Sequence, residues 1–468
     1  MVLWIEWFRC VLALRNACSR KRTFVWMCLV LVGFSIRTEL LGVSSFVRSC
    51  FLIPEKYRRL LHLFHSPALK LERLTVLWTR LALKLFRPVT YHDRPVLVAD
   101  GLKVPKEGRK MPAVKALHQE SQDNSKPEFI MGHSFQAVGM LAYGLLGGLF
   151  CVPLASRIHE GLVWSNRDRR TLLDKLVGLF LPIAEVIERN AILLADAFYA
   201  SRKIILPLLK AGHHLVTRVK TTTVAYLPAP QPKKRKRGRP KIYGKKLRLR
   251  DLWQRRSDFS TAKSPVYGES SIEIRYLSVD LLWRPVGRLV RFVFVDHPTR
   301  GRIILMSTLL TLTPLEVIQL YGYRFKIEVG FKQAIHTMGT YAYHFWMMCM
   351  TPIARRSGNQ HLHHKTEAYR QSVRVKMAAY HRYVQLGCIA QGLLQYLSVK
   401  FGSHVWQHFN SWLRTMDTDR SPSEMVVGQA LRSSLPHFLV TTHGTHELAK
   451  YILENADLTR MRDLSLSA

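Results

Sequence analysis

Acidic side chains are scarce in this chain. Its 468 residues hold 32 Asp and Glu against 70 Lys and Arg, a formal net charge of +38. A surplus of that size repels itself unless it faces a polyanion, and a cell offers mainly nucleic acid or anionic membrane. Long apolar runs are missing too. The nearest approach to a membrane span, Phe24 to Ile36, is closed in by Arg22 and Arg37 and falls short of the roughly 18–20 residues a spanning helix requires. A buried helix is expected there, and no membrane partner. Glu6, Arg9 and Arg15 interrupt the first apolar stretch, which argues against a secretory signal. The seven cysteines are scattered, with no Cys-x-x-Cys among them. An odd, unpatterned set in a long chain argues against a secreted disulfide scaffold and for a reducing cytoplasm. No internal repeat is present. What remains is an ordinary globular composition, 48% hydrophobic, which excludes wholesale disorder and implies about two to four domains.

The first ninety or so residues read as helical. Ser66-Pro67 suggests an N-cap and first-turn proline. Leu71, Leu74, Trp78, Leu81 and Leu85 then form one apolar stripe, with Arg73, Arg80, Lys84 and Arg87 lying off it. After Pro88 the texture changes. Val96 to Ala99 and Ile192 to Ala195 are short continuous apolar runs, as expected of strands buried on both faces. Helical spacing fills 169–188 and 201–211, and a Lys-rich polar loop is expected from Gly101 to Pro127. Strands alternating with helices argue for an α/β core. Residues 215–312 are β-branched and aromatic and read as a β-rich insertion. From about 365 the chain reads as mostly helical, with polar breaks near Ser421 and Ser433.

Inside the β-rich block lies Lys233-Lys234-Arg235-Lys236-Arg237-Gly238-Arg239-Pro240-Lys241. Like charges this dense cannot pack together, so the segment must be an exposed loop. Its extended Gly-Arg-Pro centre resembles the AT-hook element that lays arginines along an A·T minor groove. A merely solvated loop is the alternative.

Two acids share one local context: Asp100 closes the first buried run and Asp196 the second. Ligands gather beyond the carboxyl ends of strands in α/β sheets, and two carboxylates there could hold a hard divalent cation. Asp280 and Asp296 also follow apolar runs, so the pattern alone does not single out a pair. Thr313-Pro314-Leu315-Glu316 is a capping box with proline in the first turn. On the helix it starts, Tyr321, Arg324, Glu328 and Lys332 follow at steps of three, four and four, on one face. A solvated salt-bridge ladder would explain the charges but not the tyrosine in register with them. Weaker features are His361, His363 and His364, which read as a basic loop rather than a metal site. Gly132-His133 is a candidate neighbour of the acids. Lys103, Lys106, Arg109, Lys110 and Lys115 are candidates either for phosphate contact or for a solvated face.

At these residues the chain resembles a known family. Tyr321-x-x-Arg324-x-x-x-Glu328, with Arg324 to Lys332 around it, Ala99-Asp100-Gly101 and Ala195-Asp196, is similar to the DDE-superfamily transposases of bacterial insertion sequences. The similarity is to the subgroup marked by a Tyr, Arg, Glu and Lys signature helix. Ile335 stands where that subgroup has its lysine, and Lys332, one turn after Glu328, is the candidate to replace it. The resemblance implies an α/β, ribonuclease H-like catalytic core with a β-rich insertion, flanked by helical N-terminal and C-terminal regions. The corresponding division is a DNA-binding region (1–90), core (91–214), insertion (215–312), acid-bearing core helix (313–365) and C-terminal region (366–468). Asp100, Asp196 and Glu328 would be catalytic and hold two Mg²⁺, with Mn²⁺ as a substitute. Tyr321, Arg324, Lys332 and the basic loop would bind DNA. The implied activity is cut-and-paste transposition on terminal inverted repeats and target DNA, by a homodimer in a nucleoid-associated cytoplasmic protein. A non-catalytic DNA-binding derivative and a stand-alone endonuclease are the competing readings.

Overall fold

The computed structural model describes residues 1–119, 127–230, 240–266, 268–442 and 444–460. They form two compact units. One comprises residues 89–100 and 170–328; the other comprises 1–88, 101–169 and 329–468.

The first of these contains an α/β sheet. Its strands are β1 (Arg94–Pro105, up to Asp100 in this unit), β2 (Ile192–Leu194), β3 (His214–Val219), β4 (Val224–Pro228), β5 (Tyr243–Arg248), β6 (Ser260–Lys263), β7 (Glu273–Trp283), β8 (Arg288–His297) and β9 (Gly301–Ser307). The order is β5-β4-β7-β8-β9-β3-β2-β1, with β6 paired to β7. β1, β2 and β3 are mutually parallel: Val98 faces Leu194, which faces Val216. Such strands need helices between them. α1 (Leu172–Ile187), opened by a Thr171–Asp174 capping box, precedes β2, and α2 (Arg202–Lys210) joins β2 to β3. The apolar runs that suggested strands are buried throughout, Val96 to Ala99 and Ala191 to Ala195. β9 pairs antiparallel with β3, Ile304 opposite Val219, so the β-rich block extends this sheet.

The helix expected from Thr313 is present with its capping box, but in two pieces, α3 (Pro314–Tyr323) and α4 (Phe325–His336). The interruption falls at Arg324, whose own backbone remains right-handed α (φ −50°, ψ −38°).

The other unit is built around a 34-residue helix, Glu367–Lys400, in which every residue from Arg382 to Ser398 is buried. A helix buried on all sides is a core element, and two of its buried glutamines donate to backbone carbonyls. Gln385 donates to the Leu154 carbonyl at 2.8 Å and Gln395 to that of Cys151 at 3.2 Å. Gly392 allows Trp78 to lie against this helix, since a Cβ there would sit 2.3 Å from the indole. The apolar run around Phe24 to Ile36 is a buried helix, Lys21–Ile36, and no helix among the described residues is long and apolar enough to cross a membrane.

Three expectations need correction in this unit. The helix bearing the Trp78 stripe starts at Leu71 rather than at Pro67, because the Ser66 hydroxyl accepts from Ala68 N in a separate turn. The expected loop after Gly101 holds the end of β1 and a strand, Lys115–His118. Ser433 does not break the chain. It lies within the helix Glu424–Thr441 and donates its hydroxyl to the Gln429 carbonyl one turn back.

His133 is also accounted for here, as a core residue. Its Nε2 donates to the Pro112 carbonyl at 2.8 Å, and its Nδ1 accepts from the Tyr343 hydroxyl at 2.7 Å, so the neutral ring is fully satisfied. Burial, aided by the nearby Lys106 charge, lowers its pKa from 6.5 to about 3. Between those values the unfolded chain takes up a proton that the folded chain refuses, so stability falls as pH drops from 6.5 toward 3. Urea midpoints at pH 7 and pH 5 should therefore differ, and His133→Gln, which can form both bonds, should shrink that difference.

Candidate active site

The parallel pairing of β1 with β2 ends at Val98 opposite Leu194. Asp100 and Asp196 each follow two residues later, so the two segments deliver a carboxylate at matching positions beyond the paired register. β2 ends before its acid, whereas β1 continues through Asp100 to Pro105. Thr217 on β3 fixes the backbone at the second acid, its hydroxyl donating to the Asp196 carbonyl at 2.8 Å.

Arg324, at the break between α3 and α4, reaches both other groups of interest. Its Nη1 donates to Asp100 Oδ2 at 2.9 Å and its Nη2 to Glu328 Oε1 at 2.6 Å. The Arg324 side chain is only 18% exposed and that of Glu328 46%, so one carboxylate of the pair opens to solvent. Burial alone would lower the Arg324 pKa, but Asp100, Glu328 and Tyr321 together raise it above its ordinary value. The guanidinium also lies 5.9 Å from the centre of the Tyr321 ring. Burial raises the Tyr321 pKa, the Arg324 charge opposes it, and the Asp196 carboxylate adds to it. Asp100, Tyr321, Arg324 and Glu328 thus cluster within a single unit, and Asp196 follows the strand paired to that of Asp100, two residues past the same register.

Other candidates lie elsewhere or are engaged. Lys332 is exposed on α4, past the unit boundary. Asp280 is held by Arg291 through two 2.8 Å bonds, and Asp296 by Arg302 at 3.4 Å; both serve cross-strand pairs of the insertion. The five basic residues after Asp100 have protein partners. Lys115 pairs with Glu160, while Lys103, Lys106, Arg109 and Lys110 donate to backbone carbonyls. His361, His363 and His364 contact one another as rings. Of the basic run, Lys233, Lys234, Arg235, Lys236, Arg237 and Arg239 lie outside the described residues, and Lys241 is exposed. Sequence reasoning missed Arg218, an exposed β3 residue whose charge also acts on Tyr321. The signal was alternation: Thr217 and Val219 are buried on either side of it.

The donor chemistry suits a hard cation. Asp100 and Asp196 offer oxygen ligands at matching positions, and Asp196 has no ion-pair partner among the described residues. Glu328, however, is joined to Asp100 through Arg324, and no group of three or more His, Cys, Asp or Glu side chains is assembled for a metal among the described residues. The residue types fit; the guanidinium stands among them.

The unit carries two carboxylates two residues beyond the paired register of its parallel strands, and Arg324 ties the first of them, Asp100, to a third, Glu328. Residues 45–266 match the family model described as DDE superfamily endonuclease. The match covers just under half of the chain and supports its placement in the DDE superfamily. It contains Asp100 and Asp196 and stops before Arg324 and Glu328. No curated protein matches the chain.

Proposed function

We propose that the chain is a DNA transposase of the bacterial insertion-sequence type, cleaving phosphodiester bonds at element ends and joining them to target DNA. The observation that carries this reading is the Arg324 bridge between Asp100 and Glu328, with Asp196 two residues past the same strand register, taken with the DDE superfamily match. A ribonuclease H-like core in 91–214 and 313–365, a β-rich insertion, and helical DNA-binding and C-terminal regions belong to the same proposal. So do a homodimeric synaptic complex and a nucleoid-associated, cytoplasmic setting.

Asp100, Asp196 and Glu328 would hold Mg²⁺, or Mn²⁺ in its place. When bound, the pair of ions supplies an activated water and charge relief at the leaving oxygen. The chain's own residues orient the substrate. Arg324 offers a fork of N–H donors that matches a phosphate. The Tyr321 hydroxyl is placed beside it, and Arg218 adds an exposed cation. Lys332 and the basic run extend the same charge preference along the DNA backbone. The family description names an endonuclease, which favours as second reading a nuclease that hydrolyses DNA without strand transfer.

Incubation with duplex carrying the flanking inverted repeats, with and without Mg²⁺, tests the proposal. Cleavage followed by joining is expected for a transposase, cleavage alone for a nuclease. Asp100→Asn should retain DNA binding and reduce cleavage by more than about a hundredfold, on the order of the effect of removing one essential transition-state interaction. Asp280→Asn, which removes an acid already paired with Arg291, should cleave at the wild-type rate; the reverse pattern would move the site to the insertion.

Deleting residues 233–241 should weaken binding to every duplex and flatten its salt dependence, by about 0.9 in the log–log slope for each phosphate the run neutralises. A salt titration of duplex affinity measures this directly. An unchanged slope and affinity would make the run a solvated linker.

A further inference from the structure

Arg324 occupies an unusual position for a phosphate-binding arginine. Both of its terminal nitrogens are already committed, one to Asp100 at 2.9 Å and one to Glu328 at 2.6 Å. A small divalent cation such as Mg²⁺ draws its ligand oxygens to about 2.0–2.1 Å, so carboxylates sharing one ion must converge on a single point. The guanidinium fork instead holds these two on separate nitrogens. It also neutralises charge that would otherwise attract the ion. Arg324 and a metal ion therefore compete for the same carboxylates.

A phosphate changes that competition. Its oxygens match the guanidinium fork as those of a carboxylate do, and at the proposed site it would arrive with the DNA backbone. The Arg324 side chain is mostly buried but Glu328 is not, so the Glu328 side of the bridge faces the approach from solvent. The break between α3 and α4 falls at Arg324 itself. The side chain therefore stands at a discontinuity rather than within an uninterrupted helix.

We infer that Arg324 is a built-in counter-cation that couples metal occupancy to DNA. Without DNA it holds Asp100 and Glu328 in place of a metal ion; a phosphodiester draws its fork away and releases both carboxylates to the ion. The inference rests on the proposed metal-dependent function and adds to it an order of assembly, DNA before tight metal binding. The device would keep a DNA-cleaving centre poorly charged with metal until substrate is present.

Calorimetric titration with Ca²⁺, a hard oxygen-seeking probe, tests it on the full chain. Wild type, Arg324→Gln and Arg324→Lys are titrated alone and after loading with a duplex of about 30 base pairs, the duplex-only heat being subtracted. Coupling between sites is commonly 5–150-fold, and the expected pattern lies in that range. Without DNA, Arg324→Gln should bind Ca²⁺ about tenfold more tightly than wild type. Wild type should gain a similar factor when DNA is loaded, and Arg324→Gln should gain little. Arg324→Lys, which keeps the charge but cannot fork to two carboxylates, should fall between them and serves if the Gln variant does not fold. Equal Ca²⁺ affinity in folded wild type and both variants would overturn the inference while leaving a metal site standing. Tighter binding by the variants with no DNA effect on wild type would overturn the coupling. Absence of Ca²⁺ binding in every sample, with or without DNA, would overturn the metal-dependent reading itself.

Discussion

One guanidinium joins two carboxylates that the chain carries far apart. Asp100 lies near the middle of β1, Glu328 in the first turns of α4, and Arg324 bonds to both. Most of the surrounding architecture serves that meeting. The parallel pairing of β1 with β2 delivers Asp100 and Asp196 at matching positions. The Thr313 capping box starts the helix that leads to Arg324. The insertion returns the chain to β3, through its pairing with β9, shortly before that helix. A partly buried, bridging ion pair of this kind adds little net stability, because desolvation and solvent screening offset much of the Coulombic gain. Its worth is positional.

The charge balance of the whole chain fits the same picture. A net charge of +38 favours encounter with a polyanion at long range, yet under the proposed function the acid neighbourhood would have to approach phosphate. Arginine at its centre, with Arg218 nearby, reduces that conflict. The five basic residues that follow Asp100 each donate to a protein acceptor.

How much was legible beforehand varied with the range of the interaction. Buried parallel strands were readable in Val96 to Ala99 and Ile192 to Ala195 because a strand covered on both faces has no polar side to interrupt it. The α3 start was readable because a capping box is a local, four-residue signal. The acids were nominated by position, but Asp280 and Asp296 fitted the same pattern; each of these pairs with an arginine on the facing strand of the insertion, whereas Asp100 shares Arg324 with Glu328. The division at Arg324 of the helix that starts after Thr313 was not readable at all. Its periodicity continues across the break, and the bridge to Asp100 is a long-range contact with no local sequence signal. Ser66 misled for the opposite reason: its hydroxyl makes a local turn bond that resembles a cap.

Metal-directed cutting of the polypeptide tests most directly whether Asp100, Asp196 and Glu328 form one centre. Fe²⁺ is substituted for Mg²⁺ in the DNA-loaded protein, and ascorbate with peroxide generates hydroxyl radicals that cleave the backbone beside the bound ion. Fragments ending near residues 100, 196 and 324–328, all abolished by Asp100→Asn, are the expected result. Cuts confined to another region, such as His361 to His364, or cuts at 100 and 196 that never extend to 328, would contradict a shared three-acid centre.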